Sequence, residues 1–141
     1  MDFANFLIQL LNSLQYGLLL FMLAAGLTLI FGIMGVVNLA HGSFYMLGAY
    51  LAWFLAGQLD SLVLAIVLGA VLAVVFGWLL EWLLFRHFYH RDHLDQVLLT
   101  FGLIYIFEEA RSILWGDDVH SVQIPEVLNW SIPLTDNLSY P

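Results

Sequence analysis

From Phe3 to Leu59 the chain contains no Asp, Glu, Lys or Arg, a run of 57 residues. No other feature limits the possible folds so strongly. Soluble domains carry charge on their exposed faces, and about a quarter of their residues are charged. A membrane-spanning helix needs roughly 20 apolar residues. The first run therefore has room for two spans. Ser61 to Leu80 adds 20 more uncharged residues, enough for a third. Over 141 residues the chain is 62% hydrophobic and 10% charged, and its mean hydropathy is +0.93. These values exclude an ordinary soluble globule and a long disordered chain. The expected fold class is all-α, a polytopic integral membrane helical bundle with a discontinuous segment between the first two spans.

The few charges indicate an orientation. All three basic residues are arginines in the second half, and Arg86 and Arg91 bracket a short polar stretch after the third span. Positive loops stay in the cytoplasm. Arg86–Asp95 is therefore expected inside and the N-terminus outside. Met1-Asp2-Phe3 lacks the basic region of a cleaved secretory signal. Spans are expected at about 8–31, 43–59 and 61–84. A further helix is expected at about 94–115, short of uncharged length because Glu108, Glu109 and Arg111 interrupt it. Residues 1–115 form the membrane-embedded part on this reading. The remaining residues, 116–141, are acidic, hold all three prolines, and are expected to be external and irregular. The absence of cysteine excludes disulfides and thiolate chemistry, and a net charge of -8 argues against nucleic acid as a partner.

Small residues recur every fourth position in the third span, at Ala65, Gly69, Ala73 and Gly77. Lipid gives helices no hydrophobic drive to associate, so close backbone approach through such residues supplies the packing. Gly48, Ala52 and Ala56 repeat the pattern in the second span. Glu81 continues the first stripe. It fits either an interfacial carboxylate at the end of the span or a buried, paired structural one.

The segment Phe31-Gly32-Ile33-Met34-Gly35-Val36-Val37-Asn38-Leu39-Ala40-His41-Gly42-Ser43 interrupts the first run. Its glycines weaken a helix and accept unusual dihedrals. Irregular backbone at membrane depth survives only where protein buries it or water lines it. Two readings are open. One is a cytoplasmic turn in which Asn38 caps the next helix. The other is a broken helix, with Gly35, Asn38, His41 and Gly42 lining or supporting a translocation path.

Gly35-Val36-Val37-Asn38-Leu39-Ala40-His41-Gly42, followed by Met46-Leu47-Gly48-Ala49-Tyr50, closely resembles the first-half signature of one permease subunit type. This type belongs to bacterial ABC importers of branched-chain amino acids. The resemblance continues at Gly77-Trp78, Glu81, Phe85-Arg86, Leu99-Thr100-Phe101-Gly102-Leu103 and Gly116-Asp117-Asp118. Ser43 stands where glutamate is frequent in that family, and His87 where proline is common. Family members are roughly twice as long, so the chain is expected to be the N-terminal half of a longer permease. The resemblance implies a conduit in the bacterial inner membrane that passes branched-chain amino acids inward, with closely similar permeases carrying urea or short amides. It implies a second permease subunit, two cytoplasmic ATPase subunits and an external substrate-binding protein as partners. It implies no cofactor and no enzyme activity. The chain has no phosphate-binding loop and no lysine with which to build a standard one.

Other readings compete. His41-Gly42-Ser43 suggests a serine protease, but side chains two apart on a helix point to different faces. His87, His90 and His93 are spaced by three, and on a helix they would form a face able to hold zinc. A channel or secondary transporter would place a coupling acid in mid-span, and Glu81 lies at a span end. A small non-transporting membrane scaffold is the remaining alternative. Roles for Glu108, Glu109 and Arg111 do not follow from their spacing.

Overall fold

The computed structural model describes residues 3–135 and 138–140. Four helices follow one another: α1 (Phe3–Leu29), α2 (His41–Leu59), α3 (Leu62–Leu83) and α4 (His93–Trp115). A π-helical turn, Ile30–Met34, extends α1, and a 3-10 turn, Phe85–His87, follows α3. Among the described residues two stretches are long and apolar enough to cross a membrane, Phe3–Met34 and Leu62–His87, with mean hydropathies of 2.4 and 2.8. α2 carries Tyr45, Tyr50, Trp53 and Gln58, and α4 carries Asp95, Glu108, Glu109 and Arg111, so both are less apolar. The protein is a helical membrane bundle.

The chain divides into two compact units. The first comprises Met1–Ala25 and Gln123–Pro141. Here a two-stranded antiparallel ribbon, β1 (Ile132–Thr135) with β2 (Leu138–Tyr140), pairs Ile132 with Tyr140. The tail is therefore not irregular throughout, as its prolines and polar residues suggest. The Tyr140 hydroxyl donates to Asn12 Oδ1 at 2.8 Å and to Gln15 Oε1 at 3.1 Å. The described side chains of α1 are largely exposed, among them Phe6, Leu10, Leu14 and Phe21. An apolar surface of this kind is solvated by lipid or covered by protein.

The second unit is Gly26–Val122. α2 and α3 pair through a two-residue turn. Asp60 takes the left-handed conformation (φ 49°), and the Ser61 hydroxyl accepts from Leu64 N at 3.4 Å to start α3. The helices approach closely at Gly69, where a Cβ would lie 3.6 Å from Ala52 N. Ala65 is fully buried beside it, while Ala73 and Gly77 are half-buried. Phe107 of α4 is buried where α2, α3 and α4 meet. Its ring sits edge-on to Phe44 at 5.3 Å and tilted against Phe76 at 6.0 Å.

Candidate functional site: the discontinuous segment

After Leu29 the α-helical ladder widens into a single π turn and ends at Gly35, in the left-handed region (φ 64°, ψ 18°). A π turn followed by a left-handed residue marks a deliberate exit from the helix. Gly35 N still donates to Phe31 O at 2.9 Å, but Val36 to Ala40 follow no helix. Their amides need partners elsewhere, since a buried unpaired N–H costs about 1–3 kcal/mol.

Side chains supply those partners in three places. Val37 N donates to Gln96 Oε1 at 2.9 Å. Leu39 N donates to Thr100 Oγ1 at 3.1 Å. Ala40 N donates to Asn38 Oδ1 at 3.0 Å. Gln96 and Thr100 lie four apart, so α4 presents both from one face. Thr100 in turn donates to Gln96 O at 2.8 Å, which fixes its hydroxyl as an acceptor toward Leu39. Gln96, Thr100 and Asn38 are buried, with 3%, 0% and 8% exposure. Among the described residues no buried side-chain nitrogen or oxygen lacks a partner. The result is an irregular stretch of backbone in which side chains accept from three of the five amides at 36–40.

Asn38 does not cap α2. That helix starts one residue after its N-cap, Ala40, and has no side-chain cap; Asn38 closes a local turn two residues earlier. His41 opens α2 with its ring against Gly26: a Cβ there would lie 2.8 Å from His41 Nε2. Glycine at 26 is what allows this approach. Gly42 and Gly48 have open space where a Cβ would be, and Gly42 is exposed.

The loop beyond α3 is tied into the same network. Gln96 Nε2 donates to Phe88 O at 3.1 Å, so one amide bridges residues 37 and 88. Glu81 is half-buried, and the Tyr89 hydroxyl donates to it at 3.0 Å. Burial and this bond hold the Tyr89 hydroxyl above the ordinary tyrosine range. His87, His90 and His93 do not share a helical face, because the chain turns through 84–92. Among the described residues no three His, Asp or Glu side chains gather as metal ligands. The His93 ring instead meets Phe31 at 6.1 Å. At the other end of α4, Arg111 pairs with Asp117 at 3.0 Å and donates to Gly116 O at 2.9 Å. Trp53 stacks on His120 at 3.9 Å beside it.

Residues 9–121 match the family model described as the permease component of branched-chain amino acid transport systems. The chain belongs to this family. The high-affinity branched-chain amino acid transport system permease protein BraD of Pseudomonas aeruginosa is 43% identical over 49 residues, which are 35% of this chain and 16% of that relative. The permease protein LivH of the same type of system is 36% identical over 58 residues in Escherichia coli K12 and in Salmonella typhimurium, covering 41% of this chain and 19% of each relative. The chain thus matches less than a fifth of the length of these curated relatives. No solved structure matches it significantly.

Gly35, Asn38 and His41 fall within one stretch of this family member. Sequence reasoning did not single out Gln96, Tyr89 or Gly26, and touched Thr100 only through a family motif. A signal for the α4 pair was present. Gln96 and Thr100 are the only uncharged polar residues between Asp95 and Tyr105, and they are spaced by one helical turn.

Proposed function

We propose that this chain forms part of the permease of a binding-protein-dependent ABC importer and helps conduct branched-chain amino acids inward across the bacterial cytoplasmic membrane. The observation that carries the reading is the polar-braced backbone at 36–40 inside an apolar helical unit. Irregular backbone at membrane depth persists only where protein or a water-filled path surrounds it, and interrupted helices commonly mark transporter binding regions. Polar groups at such a break suit the charged ends of a zwitterion, while the neighbouring Leu, Ile and Phe faces suit its aliphatic side chain. Asn38 and Gly35 shape the break, and His41 holds its exit against Gly26. Of the small-residue stripes, Ala65 and Gly69 pack α3 against Ala52 of α2, whereas Gly48 and Gly77 have open space where a Cβ would be and are left for contacts outside this chain. The chain acts as a conduit and not as an enzyme. Its partners on this reading are a second permease subunit, two cytoplasmic ATPase subunits and an external substrate-binding protein. The 84–92 loop, with Arg86 and Arg91 exposed, faces the cytoplasm.

The test is uptake of labelled leucine by the assembled importer carrying Asn38→Leu or His41→Leu. Each variant is expected to insert and assemble but to lose most uptake. Wild-type uptake in both would remove the segment from the path. Uptake of urea in place of leucine would assign the permease to the amide carriers.

A further inference from the structure

The 84–92 loop is attached at three levels. Its backbone turns back on itself, with His87 N, Phe88 N and Arg91 N donating to Leu84 O, Phe85 O and Phe88 O. Tyr89 fastens it to α3 through Glu81 at 3.0 Å. Gln96 fastens it to α4 by donating to Phe88 O at 3.1 Å. The same Gln96 amide accepts from Val37 N at 2.9 Å. A primary amide has one acceptor oxygen and one donor nitrogen that rotate together. Moving Phe88 O therefore reorients the oxygen that holds Val37. Gln96 is 3% exposed, so water does not readily replace either bond.

We infer that Gln96 is a positioning residue that links the 84–92 loop to the discontinuous segment, so that displacement of the loop is transmitted to the backbone at Val37. The path runs Glu81, Tyr89, Phe88 O, Gln96, Val37 N. It gives Glu81 a role on the packing face: its carboxylate anchors the far end of the link. The consequence for transport rests on the permease reading above, but the link itself does not. Leu39 supplies an internal reference, because its amide is held by the Thr100 hydroxyl and not by the Gln96 side chain.

Spatial continuity alone does not establish coupling, and a double-mutant cycle does. The measurement is residue-resolved amide hydrogen exchange of the full 141-residue chain in nanodiscs. Tyr89→Phe releases Glu81 and disturbs only the loop end. In the wild-type background it is expected to speed exchange at Val37 by about fivefold, with little change at Leu39. In a Gln96→Met background the Val37 amide is already fast, and adding Tyr89→Phe is expected to change it no further. Where Gln96→Met does not insert, Gln96→Leu serves instead: it removes the acceptor for Val37 and the donor to Phe88 O with another apolar side chain. Unchanged Val37 exchange in Tyr89→Phe would overturn the inference. So would equal acceleration in both backgrounds, or parallel acceleration at Val37 and Leu39, which marks general loosening. None of these readouts uses transport, so a wild-type importer that fails to take up leucine counts against the permease reading and leaves the link standing.

Discussion

Replacing Thr100 by Val keeps the side-chain outline and removes one hydroxyl. Thr100 is fully buried, and its Oγ1 is the acceptor for Leu39 N at 3.1 Å. The Thr100 hydroxyl also donates to Gln96 O at 2.8 Å. Losing that second bond is less costly, because Gln96 O lies in α4 and keeps its place in the helical ladder. The dominant effect is loss of the bond to the Leu39 amide, about 0.5–1.5 kcal/mol because Leu39 is 43% exposed and water replaces part of it. At tenfold per 1.4 kcal/mol, local opening at Leu39 becomes about 2- to 12-fold more frequent. Hydrogen exchange resolved by residue reads this directly. Thr100→Ser separates the hydroxyl from the methyl: it keeps the acceptor and deletes one buried carbon, so overall stability falls by about 1 kcal/mol while Leu39 stays protected. Wild-type exchange at Leu39 in Thr100→Val would refute the reasoning, as would equal loss of protection in the valine and serine variants.

Other perturbations follow from the same geometry. Gly69→Leu places side-chain carbons where a Cβ is already 3.6 Å from Ala52 N, and is expected to destabilise the α2–α3 pair by about 1–3 kcal/mol in a detergent unfolding titration. Leu72, exposed on the same helix, is expected to accept Ile with little change. Gly35→Val forces a β-branched residue to φ 64°, at a cost of about 1–2 kcal/mol or more, and is expected to lower the thermal midpoint of the purified chain. Tyr89 has its hydroxyl raised from 10.0, chiefly by burial and then by Glu81, so its bond contributes below pH 10 and is lost as pH rises through the higher folded value. Ultraviolet titration is expected to show a late-ionising component that is lost in Tyr89→Phe. A cysteine at Tyr89, in a chain with no other cysteine, is expected to react with a membrane-impermeant maleimide only from the cytoplasmic side.

The helices were legible because membrane insertion is a simple physical constraint. Uncharged length set α1, α2 and α3, and the spacing of Ala65 and Gly69 marked the face now seen against Ala52. The break was legible as well, since Gly32 and Gly35 stand with Asn38 and His41 in an apolar run. What completes the break was not. Val37 lies 59 positions from Gln96, and Leu39 lies 61 from Thr100. Such partners are set by how α4 docks, and local pattern does not encode that. The cap reading of Asn38, one of the two left open, fitted the pattern equally well for a related reason: a side chain that closes a turn just before the helix has the same composition signature as one that caps it. The ribbon at Ile132–Tyr140 was hidden by Pro133, which suits an edge strand as well as an irregular tail.

The central claim is that the side-chain-braced backbone at 36–40 meets water and substrate in the assembled permease. Leu39 is 43% exposed in this segment, and the chain has no native cysteine. The direct measurement is the labelling rate of Leu39→Cys by a small water-soluble maleimide in the importer, with and without saturating leucine and its binding protein. The account predicts measurable labelling that slows when leucine is being transported, while a cysteine at Val74, exposed in the middle of the apolar helix α3 and expected to meet lipid, stays unlabelled throughout. Leu39→Cys that is as inert as Val74→Cys, or that labels at one rate regardless of leucine, would contradict it.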